Sequence, residues 1–163
     1  ETGSLWSQML SQAVTGPLKG SRLEMLPLVQ TPWSAWLAQH PDTLVLSRDT
    51  GYERDYDRDP YSGYQDSSGV WFPVTRKDPR YHPKERVIGI GIDGRFKAYP
   101  MAELSRAGNR FRDRFAGREL EVRIDGPGQV RFFLADGSEL PGIPSYWFAW
   151  YAFHPDTEVF QAD

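Results

Sequence analysis

The chain has 163 residues, which sets an expectation of one domain or two small ones, long enough to bury a core. Lys plus Arg number 19 against 22 Asp plus Glu, a formal net charge of -3, so the basic footprint of a general nucleic-acid binder is missing. Cysteine is absent, which removes disulfides, thiolate metal ligation and thiol nucleophiles, and no apolar run approaches the length of about 18 residues that a membrane span needs. The excess lies in aromatics, with 6 Trp, 8 Tyr and 9 Phe among 15 Gly and 13 Pro, and it predicts a compact, turn-rich, aromatic-packed protein.

The chain opens Glu1-Thr2-Gly3 with neither Met nor a signal peptide, and reads as a processed product or a fragment. Ser4 to Met9 alternates as a half-buried strand does. Trp33, Trp36, Leu37 and His40 then fall at i, i+3, i+4 and i+7, one face of a short helix. Thr31 is placed to cap it, and Pro32 stands at the favoured first position. Pro41 ends it, Asp42-Thr43 turns, and Leu44-Val45-Leu46 leaves as a strand. Residues 48–86, rich in Tyr, Asp, Arg and Pro, show little period and read as a long loop. Residues 87–100 read as a hairpin: Asp93-Gly94 between β-prone runs is a strong turn signal, and Pro100 opens a short helix through Leu104.

Trp147, Trp150, Tyr151 and His154 then repeat the first helix at an offset of 114, with Ser145 as the capping candidate. His40-Pro41-Asp42-Thr43 returns as His154-Pro155-Asp156-Thr157, and Leu26-Pro27 as Leu140-Pro141. The two copies span approximately residues 17–47 and 114–161, and the second carries an added hairpin around the strand Gln129 to Ala135. The expectation is a single domain over 1–163, mainly β with a few short helices (α+β). In it, two strand–helix–turn–strand copies, related by a pseudo-twofold, bury Trp36 and Trp150 in one shared aromatic core.

The opening Glu1 to Gln8, the Trp-x-x-Trp-x-x-x-His-Pro-Asp-Thr unit, Asp59-Pro60-Tyr61-x-x-Tyr64, His82 to Val87 and Ala98-Tyr99-Pro100 together resemble one family. It is the bacterial and archaeal domain-of-unknown-function family 3179. The resemblance covers nearly the whole chain and carries no established activity. It implies that this chain corresponds to the C-terminal portion of longer members. Those begin with a segment similar to the Val87 to Pro100 hairpin, followed by a Tyr-Cys-Pro-Leu-Cys motif that is missing here. It also implies an extracytoplasmic location, periplasmic or secreted.

Candidate chemistry is thin. His40, His82 and His154 all precede proline, and the first and last occupy equivalent places at helix ends, where a histidine can donate to carbonyls and meet the helix dipole. Metal sites show closer ligand spacing than these three provide, so no metal and no cofactor are expected. Asp55, Asp57, Asp59 and Asp66 have the spacing of a calcium loop, but Pro60 stands where the sharp turn needs glycine, and Arg54 and Arg58 offset the charge. Gly89-x-Gly91-x-x-Gly94 spells a dinucleotide motif across a strand and its turn, which is the wrong context. The expected function is therefore a non-catalytic binding or assembly module that contacts a partner protein or an N-terminal half. Its binding surface would be built from Arg54, Tyr56, Arg58, Tyr61, Tyr64, His82 and Glu85, residue types enriched at interfaces on a long loop. The alternative is a metal-dependent or hydrolytic domain whose site is completed by residues outside this chain.

Overall fold

Gly-x-Gly spacing in a β-branched strand decides how this protein layers. In β3 (Arg86–Ile92), Ile88, Ile90 and Ile92 point to one face, while Val87, Gly89 and Gly91 point to the other. A computed structural model of the chain, describing residues 2–126 and 128–162, shows what each face meets. The isoleucine face packs with Tyr99, Phe115, Leu120, Val122 and Phe132 into the main core. The glycine face receives a helix.

β3 turns through Asp93 and Gly94, both with positive φ, into β4 (Arg95–Pro100). That is the expected hairpin, and α2 (Met101–Ala107) follows Pro100. The next four strands form an antiparallel meander: β5 (Arg110–Phe115), β6 (Arg118–Gly126), β7 (Gln129–Leu134) and β8 (Glu139–Leu140). β9 (Ile143–Tyr146), α3 (Trp147–Phe153) and β10 (Glu158–Val159) then wrap back around the hairpin, giving a sheet ordered β10-β4-β3-β9. The two four-stranded sheets share the main core, and α3 lies on the outer face of the first. Lys97 on β4 and Asp113 on β5 tie the sheets together at 2.6 Å, and the Tyr99 hydroxyl donates to the same carboxylate at 2.7 Å. The architecture is mainly β with three short helices, as read from the sequence.

Ahead of the hairpin the chain holds little regular structure. The expected strand over Ser4 to Met9 shrinks to β1 (Trp6–Ser7), paired with β2 (Gln12–Ala13). The helix α1 (Trp33–Gln39) forms as predicted, and residues 40–85 contain neither helix nor strand. Among the described residues no helix is long and apolar enough to cross a membrane.

Three expectations are corrected. Leu44-Val45-Leu46 is not a strand, because no neighbouring strand offers it hydrogen bonds. Neither Thr31 nor Ser145 caps a helix. Pro32 and Tyr146 hold the cap positions without side-chain bonds, and the Trp147 and Phe148 amides of α3 donate instead to the carbonyls of Glu85 and Pro83. The shared aromatic core also fails to form. Trp147 and Trp150 are 1% and 0% exposed, whereas Trp33 and Trp36 are 51% and 41% exposed. The reason is geometric: among the described residues, the hairpin with a glycine face lies under α3 and not under α1.

Candidate functional site

The sequence-predicted surface residues divide into two groups. Tyr64, His82 and Glu85 gather around Lys84, which is not among the residues expected from the sequence. Lysine is almost never fully buried without partners. Here it is buried, donating to the carbonyls of Tyr64 and Ser67 and to Ser67 Oγ, with its ammonium 3.6 Å from the centre of the Tyr64 ring. Burial holds its pKa below the ordinary lysine value. Tyr64 and Tyr61 both contact Trp71, at ring distances of 4.4 and 5.7 Å. His82 Nδ1 accepts from the Lys84 amide at 3.2 Å. Glu85 Oε1 accepts from the Ala102 amide at 2.9 Å and so closes the start of α2. This group fastens the loop to the sheet, and no feature of the sequence announced Lys84 as its centre.

Arg54, Tyr56 and Arg58 stand apart from that centre, on an exposed stretch. The Tyr56 hydroxyl bonds Thr50 at 2.7 Å. The loop's carboxylates are engaged locally: Asp55 and Asp59 accept from the amides of Asp57 and Tyr61, and Asp57 pairs with Arg48 at 2.7 Å. Those bonds do not converge on a common point, and among the described residues no three His, Asp or Glu side chains cluster as metal ligands do.

A second surface is less expected and more pronounced. Among the described residues, every buried apolar side chain except Ala13 lies at or beyond Val87. Every large exposed apolar side chain except Phe153 lies at or before Phe72. The densest part surrounds α1: Trp33, Trp36 and Leu37 on the helix, with Leu44, Val45 and Leu46 at 95%, 71% and 95% exposure just beyond it. A cleft of about 800 Å³ opens beneath the helix between Leu28, Val29, Pro32, Trp33 and Trp36, bounded by Arg86 and Gly128. Among the described residues, two hydrogen bonds hold this segment to the β-layers, Arg86 to Gln30 at 3.2 Å and Gln129 to Thr31 at 2.6 Å.

The local geometry at α1 matches that at α3 closely. His40 and His154 end their helices at φ -133°, ψ 68° and φ -129°, ψ 67°. Trp36 Nε1 donates to Thr43 Oγ1 at 2.9 Å, and Trp150 Nε1 to Thr157 Oγ1 at 3.0 Å. The rings of Trp36 and His40 lie 4.1 Å apart, those of Trp150 and His154 4.3 Å. What differs is the cover. Over α3, Trp150 rests on Gly89, and Phe96 stacks on His154 at 3.8 Å. His154 is 4% exposed with Nε2 unpartnered, and desolvation lowers its pKa to about 4. It is therefore a neutral core residue, which corrects the expectation of a donor interacting with the helix dipole. His40 is exposed.

The family model DUF3179, described as a protein of unknown function, matches residues 1–135. The chain belongs to that family. The DUF3179 match takes in α1, the long loop, the hairpin β3–β4 and the meander through β7, while β9, α3 and β10 lie beyond it. No curated protein and no solved structure matches the chain.

Proposed function

We propose that this protein is a non-catalytic binding or assembly module whose amino-terminal half is covered by a partner protein or by an N-terminal half of a longer chain. The observation that supports this reading is the segregation of apolar surface: the half after Val87 builds a closed core, and the half before it leaves Trp33, Trp36, Leu37 and residues 44–46 in contact with solvent. Contiguous exposed apolar surface on this scale marks an interaction site. The apolar face at α1 takes the place of the tyrosine loop as the leading interface. Tyr64 is occupied with Lys84 and Tyr61 stacks on Trp71, while Arg54 and Arg58 stay exposed. An exported location is part of the same proposal and follows the family resemblance.

The test is a paired substitution, Leu44→Ser with Leu46→Ser. Both side chains are exposed, so thermal stability of the isolated chain should stay within about a degree of wild type, as for surface substitutions generally. Binding of a hydrophobic dye should fall, and the protein recovered from its native source should lose the larger species in which the wild type elutes. A wild type that elutes alone from its native source, with the same dye binding as the variant, overturns the reading.

A further inference from the structure

This inference rests on the reading above and names the chemistry of the covering partner. At α3 the chain displays what such a unit holds. β9, α3 and β10 form a strand–helix–strand bracket, and the hairpin β3–β4 sits between its two strands. β3 runs antiparallel to β9, pairing Gly89 with Ile143, and β4 runs parallel to β10, pairing Ala98 with Val159. At strand spacings of about 4.8 Å the bracket spans three intervals, ~14 Å. Residues 29–32, α1 and residues 44–46 stand at the corresponding positions 114 residues earlier, where the helix forms but its flanks pair with no strand. Both helices are seven residues long, with matching dihedrals at the histidine that ends each and the same Trp-to-Thr bond, so the chain leaves both in the same direction relative to the helix.

We propose that the α1 bracket takes a two-stranded β-hairpin from a partner polypeptide, seated as β3–β4 is seated against α3. The α3 bracket defines what the hairpin must carry. It needs glycine beneath Trp36, because a Cβ at Gly89 would come within 2.1 Å of the Trp150 ring. It needs an aromatic ring over His40, where Phe96 covers His154. Its second strand runs parallel to residues 44–46. One substitution separates the two seats: Glu158, which pairs with Arg95, is replaced by Leu44, so the hairpin is apolar where Arg95 stands. A second copy of this chain is the weaker occupant. Its own hairpin is already paired on both edges and would have to leave β9 and β10 first.

The probe is a peptide of residues 86–100 carrying Arg95→Leu, added to the full chain. Because an isolated hairpin is marginal in water, the same segment is also tethered ahead of residue 2 by a flexible Gly-Ser linker, which raises its effective concentration to the millimolar range. Amide hydrogen exchange at residues 43–46 is the readout. We expect slowing of roughly tenfold or more in the tethered form. That protection should be lost when the hairpin carries Gly89→Val, and lost when the receiving chain carries Trp36→Ala. Unprotected residues 43–46 in the tethered form overturn the proposal. Equal protection by the valine hairpin does too, since it shows unspecific apolar contact. Protection without any hairpin that rises with protein concentration assigns the face to a second copy. If the Leu44/Leu46 variant loses its native partner while the tethered hairpin has no effect, the binding-module reading stands and the hairpin assignment falls.

Discussion

Trp36 and Trp150 are the same residue in the same local frame, and burial alone sets their energetic worth. Trp150 is fully buried against Gly89 and Phe96, so Trp150→Ala should cost about 3–5 kcal/mol in a denaturant titration. Trp36 is 41% exposed, and Trp36→Ala in the isolated chain should cost about 1 kcal/mol or less. Equal losses at the two positions would show that α1 is already covered. His154 makes the same environment visible through pH. Its folded pKa of about 4 lies below the unfolded value of 6.5, so between them the unfolded chain binds a proton that the folded chain refuses. The contribution of His154 is therefore fully present above about pH 6.5 and is lost as the pH drops toward 4, by on the order of 3 kcal/mol. Carboxylates held low, such as Glu139 beside Arg131, lose their contribution only below about pH 4.5, which leaves the upper part of the window to the histidine. A His154→Phe variant should flatten the stability profile between pH 4.5 and 6.5. A slope unchanged by that substitution would place the titrating group elsewhere.

At the scale of elements, legibility followed the range of the interactions involved. The hairpin β3–β4 was readable because Asp93-Gly94 supplies both positive-φ turn positions and β-branched residues flank it. Both aromatic helices were readable from their spacing and from the proline that ends each. Their caps were not, since the α3 amides are satisfied by carbonyls of Pro83 and Glu85, more than sixty positions away. Leu44-Val45-Leu46 looks like its counterpart Glu158-Val159-Phe160, yet only the second holds a strand, over Glu158 and Val159, because strand identity depends on a neighbour that propensity cannot see. Lys84 was invisible for the same reason: its acceptors, the carbonyls of Tyr64 and Ser67, lie 20 and 17 positions away in a loop without period. That bond set predicts its own test. Lys84→Met keeps the stem and removes the ammonium, so protease cleavage within residues 60–76 should accelerate while the core strands keep their exchange protection. Unchanged cleavage would mean that Tyr64, Tyr61 and Trp71 hold the loop unaided.

For the molecule as a whole, the division of apolar residues sets how the chain should come apart. The main core draws on β3 through Phe160, and its second cluster adds only Met9 and Tyr81 from earlier positions. Among the described residues, the first 74 meet this body through Met9, the bonds of Gln30 and Thr31, the Lys84 latch and the clefts that residues 27–29 and 68–74 line together with it. A segment that buries so little cannot offset the entropy of ordering its backbone, roughly 1–2 kcal/mol for each residue. It should therefore open at a much lower free energy than the strands. Residues 75–162 retain Asp78, whose carbonyl accepts from Trp147 Nε1 at 3.1 Å, and Tyr81, which donates to Glu103 at 3.2 Å. That piece should fold alone and unfold cooperatively, with a midpoint within several degrees of the full chain. Limited proteolysis of the full chain should cut first between residues 40 and 76 and leave the 75–162 body intact. A truncated piece that fails to fold would show that the amino-terminal half contributes to the core after all. Tethering the hairpin of residues 86–100 should then reverse the proteolysis result at 43–46, because a covered bracket has the buried surface that the isolated half lacks.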